Sequence, residues 1–137
     1  MADAQGLIRF RRAEWTDETA ADLGLMRDLT ERDLAIFEAR VAAGEFFLHA
    51  VTFGDHRVGW IIWSTDHQPD GFDLVVNAAA ILPVEGADMT EEMYRRFMLM
   101  ARQLGARAIR CWTTRDGLRR KLTSRGAICR YEMEIVL

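Results

Sequence analysis

The residues able to carry chemistry are few, and they sit in three places. Asn77 lies inside Phe72-Asp-Leu-Val-Val-Asn-Ala-Ala-Ala-Ile-Leu82, a run that is otherwise almost wholly apolar. A side-chain amide there either bonds the backbone at a β-bulge or faces a cleft and binds a ligand. It cannot itself remove a proton. The titratable candidates nearby are Asp73 in the same run and His49 in Phe46-Phe-Leu-His-Ala-Val-Thr-Phe53. Buried polar groups find partners inside a protein, so a satisfied strand histidine competes with a catalytic one at His49. The second place is Pro83-Val-Glu-Gly-Ala-Asp-Met-Thr90, which leads into a helix whose N-terminus could receive an anion. The third is the basic cluster Arg115, Arg119, Arg120, Lys121 and Arg125, either a phosphate-binding group or a solvated helix face. His56 and His67 fall in turns, and no spacing of ligating residues suits a metal.

The elements that must position these groups can be read from periodicity. Phe72 to Leu82 reads as a strand buried on both faces. Asp88 caps the helix that follows, with Glu91 three residues on as in a capping box. Met89, Met93, Phe97, Met100 and Leu104 form its apolar stripe, Gly105 stops it, and Arg107 to Thr113 is a second buried strand. This is a βαβ unit, so the two strands should be parallel with a right-handed crossover. Upstream, Leu7 to Arg12 alternates as an edge strand. Thr16 or Asp17 caps a helix with Ala20, Leu23, Leu25 and Met26 inward. Thr30 starts another with Leu34, Phe37, Ala39 and Val41 inward, ending at Gly44. Phe46–Phe53 and Arg57–Trp63 form a hairpin around Gly54-Asp55-His56, and Asp66 to Gly71 is a breaker-rich surface loop. Downstream, Asp116 caps a short helix closed by Gly126, and Ala127 to Leu137 is a last strand. The order is β-α-α-β-β-β-α-β-α-β, an α/β (α+β) domain spanning 1–137 with a mixed sheet of about six strands.

Composition narrows the classes. The chain has 137 residues, is 50% hydrophobic and 28% charged, and carries a net charge of −3. That suits a soluble globular domain and gives no general attraction to nucleic acid or anionic membrane. Lys121 is the only lysine among the 18 basic residues. Cys111 and Cys129 sit in apolar runs, as thiols of a reducing cytosol do. No apolar run is long enough to cross a membrane. Trp60, Trp63 and Trp112 either fill the core or line a pocket or partner surface. The Met-rich face of the long helix is core packing or an adaptable partner surface.

This order of elements resembles the GNAT-type N-acetyltransferases over essentially the whole chain. Gly54-Asp-His-Arg-Val-Gly-Trp-Ile-Ile-Trp63 looks like that family's second and third strands with their "V-G" opening. Ile81-Leu-Pro83 sits where its fourth strand ends. Gly117-Leu-Arg-Arg-Lys-Leu-Thr-Ser-Arg-Gly126 looks like its last helix. The resemblance implies a mixed, mostly antiparallel sheet with helices on both faces. It also implies an acetyl-CoA pyrophosphate held by a Gly-rich loop with a leading Arg or Gln. The positions that would do this here are Leu82, Val84, Gly86 and Ala87. They stand in a stretch with one glycine, no cation, and the carboxylates Glu85 and Asp88. The family's basic last helix, residues 115–125 here, flanks the cleft rather than the loop. The base often supplied by a fourth-strand Glu is replaced around Asn77, and Leu122 stands where a Tyr commonly protonates the thiolate.

The expectation is therefore a GNAT-like domain with a degenerate acyl-CoA loop, catalytically silent, with no cofactor, acting through protein partners. Its size and altered loop are similar to small GNAT-like virion and internal core proteins of short-tailed bacteriophages. Arg27-Asp-Leu-Thr-Glu-Arg-Asp33 adds slightly to that likeness. Its place would be the cytoplasm, or a virion if phage-encoded, with no metal, no membrane and no nucleic acid. The alternative is a divergent acetyl-CoA-dependent N-acetyltransferase using Asn77 and His49. A third reading is a sensor of another ligand in the cleft.

Overall fold

The computed structural model describes residues 8–113, 115–130 and 133–137. Strand β1 (Ile8–Arg12) leads to helices α1 (Asp17–Leu23) and α2 (Glu31–Ala42). Strands β2 (Phe47–Phe53), β3 (His56–Gln68) and β4 (Gly71–Ile81) follow, then α3 (Met89–Leu104), β5 (Ala108–Cys111) and α4 (Asp116–Ser124). The described residues make a five-stranded sheet in the order β1-β2-β3-β4-β5. Its pairings are antiparallel except β4–β5, which is parallel as the βαβ pattern requires. The α/β class and the helices on both faces are as expected.

Local chemistry sets the helix ends. Thr16 and Thr30 each close a reciprocal capping box, with Thr19 and Asp33 respectively. Asp88 accepts from the Glu91 amide at 3.1 Å, and Gly105 ends α3 in the left-handed region at φ 79°. The Glu91 side chain does not complete the box. It turns instead to Arg95 and Arg125.

The two faces of the sheet have separate cores. Under α3, Met93 and Phe97 pack with Ile8, Val51, Ile61, Trp63 and Leu74. On the other face Leu23, Leu34, Phe37 and Val41 cover Leu48, Trp60, Ile62 and Ala78. Trp60 also donates its indole N–H to Asp22 at 2.8 Å, tying α1 to β3. Gly59 is required by close approach: a Cβ there would lie 2.0 Å from the Ala80 carbonyl oxygen. The "V-G" opening is thus a packing constraint of the β3–β4 pair.

Several expectations are corrected. Asp66 to Gly71 is not a loop: β3 runs to Gln68 and pairs through Asp66↔Asp73 and Gln68↔Gly71, leaving only Pro69 and Asp70 in the turn. The sixth strand is not formed by the described part of 127–137, where Ile128, Met133, Ile135 and Val136 are exposed. Leu7 and Tyr131 lie outside the described residues. Leu25 follows the end of α1 and is exposed, as are Ala39, Leu104 and Trp112. The β5 strand is only half-buried, and Cys111 and Cys129 are both exposed. Among the described residues no helix is long and apolar enough to cross a membrane.

Phe97 is buried, with its ring centre 5.0 Å from that of Phe10. Phe97→Ala should cost about 3–5 kcal/mol through lost burial and a residual cavity. A urea-melt loss below about 1 kcal/mol, the surface range, would place α3 on the wrong face. Gly59→Ala should reach or exceed the upper end of the overpacking range, about 3 kcal/mol, because the obstructing atom is backbone. A near-neutral melt would mean that β3 and β4 are not in this register.

Candidate functional site

The parallel pairing of β4 with β5 runs from Asp73↔Ala108 to Val76↔Cys111 and stops there. Asn77 is the next residue of β4. The register against β3 passes from Trp63↔Val76 to Ile62↔Ala78, so Asn77 is the extra residue of a β-bulge. Its Oδ1 accepts the Ser64 hydroxyl at 2.9 Å. The polar residue thus marks the point where the two parallel strands part, and its partner is a side chain rather than the backbone. Ser64, the first polar residue after the apolar run of β3, was the sequence sign of this pairing.

His49 belongs to β2, two strand spacings from β4 and so about 10 Å away. Its Nδ1 accepts the Trp63 indole N–H at 3.1 Å, with the two rings stacked. Burial, and secondarily the charge of Arg12, hold its pKa below the ordinary histidine value. A neutral ring accepting at Nδ1 carries its proton on Nε2. Its basic lone pair is therefore committed to Trp63. Asn77 and His49 are not brought together. Asp73 is equally committed: Arg107 contacts it at 3.0 and 3.1 Å, and Arg110 pairs with it at 3.0 Å.

The loop after β4 also spends its donors internally. The Leu82 amide donates to the Val58 carbonyl at 2.7 Å, and the Ala87 amide to the Val84 carbonyl at 3.1 Å. Val84 to Ala87 is a closed turn with Gly86 at φ 78°, and the Val84 side chain packs into the core under α3. The Asp88 carboxylate occupies the α3 N-terminus. Lys121 of α4 holds that carboxylate at 2.6 Å, and Arg125 pairs with Glu91. The basic helix therefore reaches the loop end of α3, contrary to the expectation that it only flanks the cleft. Lys121 and then the Glu91 amide keep Asp88 below the usual carboxylate pKa, and Arg125 does the same for Glu91.

Between α3 and α4 lies a cleft of about 360 Å³ lined by Thr90, Arg115, Gly117, Leu118 and Lys121. Converging amides, which an acyl-CoA pyrophosphate would need, are missing at Leu82 and Ala87, since both already donate within the chain. The arrangement can present cations beside a capped helix end. Among the described residues, His49 and Asp73 are both engaged by other side chains. No group of three or more His, Cys, Asp or Glu suited to a metal occurs among the described residues.

This architecture, with a bulged β4 parting from β5 above a capped helix, is that of the GNAT-type N-acetyltransferases, and the chain has their fold. No protein-family model and no curated protein matches its sequence. Solved structures do match in shape. A ribosomal-protein-alanine N-acetyltransferase from Brucella melitensis biovar Abortus 2308 superposes with a TM-score of 0.66 at 10% identity, over 95% of this chain and 99% of that one. A transcriptional regulator from Bacillus halodurans C-125 gives 0.68 at 14% identity, over 95% and 99%. A possible acetyltransferase from Clostridium difficile 630 gives 0.66 at 14% identity, over 96% and 99%.

The His49 environment has a measurable consequence. Its folded pKa lies below its unfolded one, so protonation favours the unfolded chain. Its contribution is complete above the unfolded value of about 6.5 and is lost as pH falls through and below it. Glu18, Asp88 and Glu91, lowered by Arg57, Lys121 and Arg125, act in a separate window. They lose stability only below about pH 4.5. Thermal melts should therefore fall below about pH 6.5 in the parent and stay flatter in His49→Gln until the carboxylate window. Identical slopes in both would remove His49 from the half-buried site assigned to it.

Proposed function

We propose that this chain is a GNAT-like domain whose acyl-CoA loop is closed, and that it works without a cofactor as an interaction module. The observation that carries the reading is the filled α3 N-terminus, where Asp88 caps the helix and Lys121 clasps Asp88. An incoming diphosphate would have to displace that carboxylate and break the Val84–Ala87 turn. Asn77 bonded to Ser64, and His49 bonded to Trp63, supply no base at the parting of β4 and β5. Exposed apolar groups such as Trp112 and Leu82 are of the kind that protein partners cover.

The divergent N-acetyltransferase has one observation in its favour, the cations Arg115 and Lys121 beside the cleft near Thr90. Lys121 is already paired with Asp88, which lessens its availability for phosphate. Calorimetric titration with acetyl-CoA up to millimolar concentration, near the weak limit of specific binding, should give no saturable heat and no rise in melting temperature. A micromolar dissociation constant would overturn the closed-loop reading and restore the enzyme.

A further inference from the structure

β1 is an outer strand: among the described residues it pairs with β2 on one side and with no strand on the other. The Ala13 amide donates to the Leu48 carbonyl at 3.1 Å. Positions two apart on an antiparallel strand orient their peptide groups alike, so Arg11 and Arg9 turn theirs toward β2. Ile8, Phe10 and Arg12 then turn theirs to the open side. This free ladder borders a cleft of about 440 Å³ lined by Ile8, Arg9, Phe10, Arg11 and Arg96.

Cations stand on both faces of that edge. Ile8 and Phe10 pack under α3, so Arg12 shares their face, and Arg9 and Arg11 project from the other. Arg96 reaches over from α3, its guanidinium 5.9 Å from the Phe10 ring centre, and Arg12 lies 5.8 Å from that of Phe47. None of Arg9, Arg11, Arg12 and Arg96 has a carboxylate partner among the described residues. By contrast Arg57, Arg107, Arg110, Lys121 and Arg125 are all ion-paired. In a chain of net charge −3, four arginines without a carboxylate partner among the described residues thus stand together on one strand edge.

We propose that the β1 edge binds an extended acidic segment of a partner protein, which adds to the sheet as a further strand. Its backbone pairs with the outward peptide groups of Phe10 and Arg12. Its alternating side chains place carboxylates against Arg9 and Arg11 on one face and Arg12 and Arg96 on the other. The same arginines repel the β1 edge of another copy, which keeps this edge from self-association and selects for an acidic strand. A nucleic-acid strand fits less well, because Phe10 is packed against the core and covered by Arg96 and so offers no stacking face. The site stands apart from the cleft between α3 and α4 and holds whether or not acetyl-CoA binds.

The test is fluorescence anisotropy with a labelled peptide in which glutamate pairs alternate with valine–threonine pairs, so that each face of the extended strand carries carboxylates. Binding should saturate, weaken as salt rises, and fall at least about tenfold in the Arg9→Glu/Arg11→Glu variant. Arg96→Gln should weaken it by a smaller factor. Arg102→Glu, an exposed control on α3, should leave it unchanged, and circular dichroism and melting should confirm that each variant is folded. A peptide N-methylated at every residue, which cannot donate to the ladder from either edge, should lose binding. The proposal is overturned by salt-independent binding, by equal affinity for the charge-reversed variant, or by full affinity of the N-methylated peptide. Tighter binding of an oligothymidine strand than of the peptide would overturn it too, in favour of a nucleic-acid site.

Discussion

Asp73 is almost completely buried near the start of β4, and two arginines converge on its carboxylate. Arg107 precedes β5 and donates its amide to the Phe72 carbonyl at 2.7 Å, while Arg110 lies within β5 and also pairs with Asp66 of β3. The carboxylate therefore fastens β5, the shortest strand, to the middle of the sheet. A buried carboxylate without partners costs several kcal/mol, and breaking such pairs elsewhere has cost about 3–5 kcal/mol. That range must be discounted here, because both arginines are close to half exposed. The placement of β5 depends on this lock. The β4–β5 pairing is anchored at Asp73, ends three residues later at Val76, and leaves the bulge at Asn77 as the place where the strands separate.

The same cluster explains a part of the fold that could not be read in advance. Asp66-His-Gln-Pro-Asp-Gly71 has the composition of a loop, and local propensity favours one. Asp66 stays in β3 because Arg110 holds it and Asp73 lies opposite it, contacts that are distant in sequence. By contrast Thr16, Thr30, Asp88 and Gly105 announce helix boundaries through bonds a few residues long, and these were legible. The parallel β4–β5 pair was legible for a similar reason, since a helix between two apolar runs leaves few topologies. Ala127 to Leu137 alternates like a strand, yet alternation says only that a segment suits an edge, not that one is offered to it. Trp112 and Leu25 show the same limit: apolar character predicts burial only where a neighbouring element arrives to cover it.

The candidate site was legible in outline and misread in its electrostatics. Glu85 and Asp88 suggest a loop closed to phosphate by like charge. In the fold, Asp88 is paired with Lys121 and Glu91 with Arg95 and Arg125, so much of that negative charge is compensated locally. The stronger obstacle lies in the backbone. The Leu82, Ala87 and Glu91 amides all have partners within the chain, two of them within the loop itself. Sequence could show that glycines were few. It could not show that the remaining amides had turned inward, because that depends on Val84 packing beneath α3 and on α4 arriving from more than thirty residues away.

A phosphate-binding loop holds several N–H groups in readiness for a ligand, so its stability is lower when the ligand is absent. Here the Ala87 and Glu91 amides are instead already bonded within the chain. The Asp88 side chain caps α3 by accepting from the Glu91 amide, and its charge also favours the positive end of the α3 dipole. Lys121 then makes the cap the anchor of α4, an element with no buried residue of its own. Replacing Asp88 with the small residues of an open cradle would thus remove a helix cap and loosen α4 at once. Opening the amides of this loop to an anion would therefore also disturb the contacts that hold the last described helix.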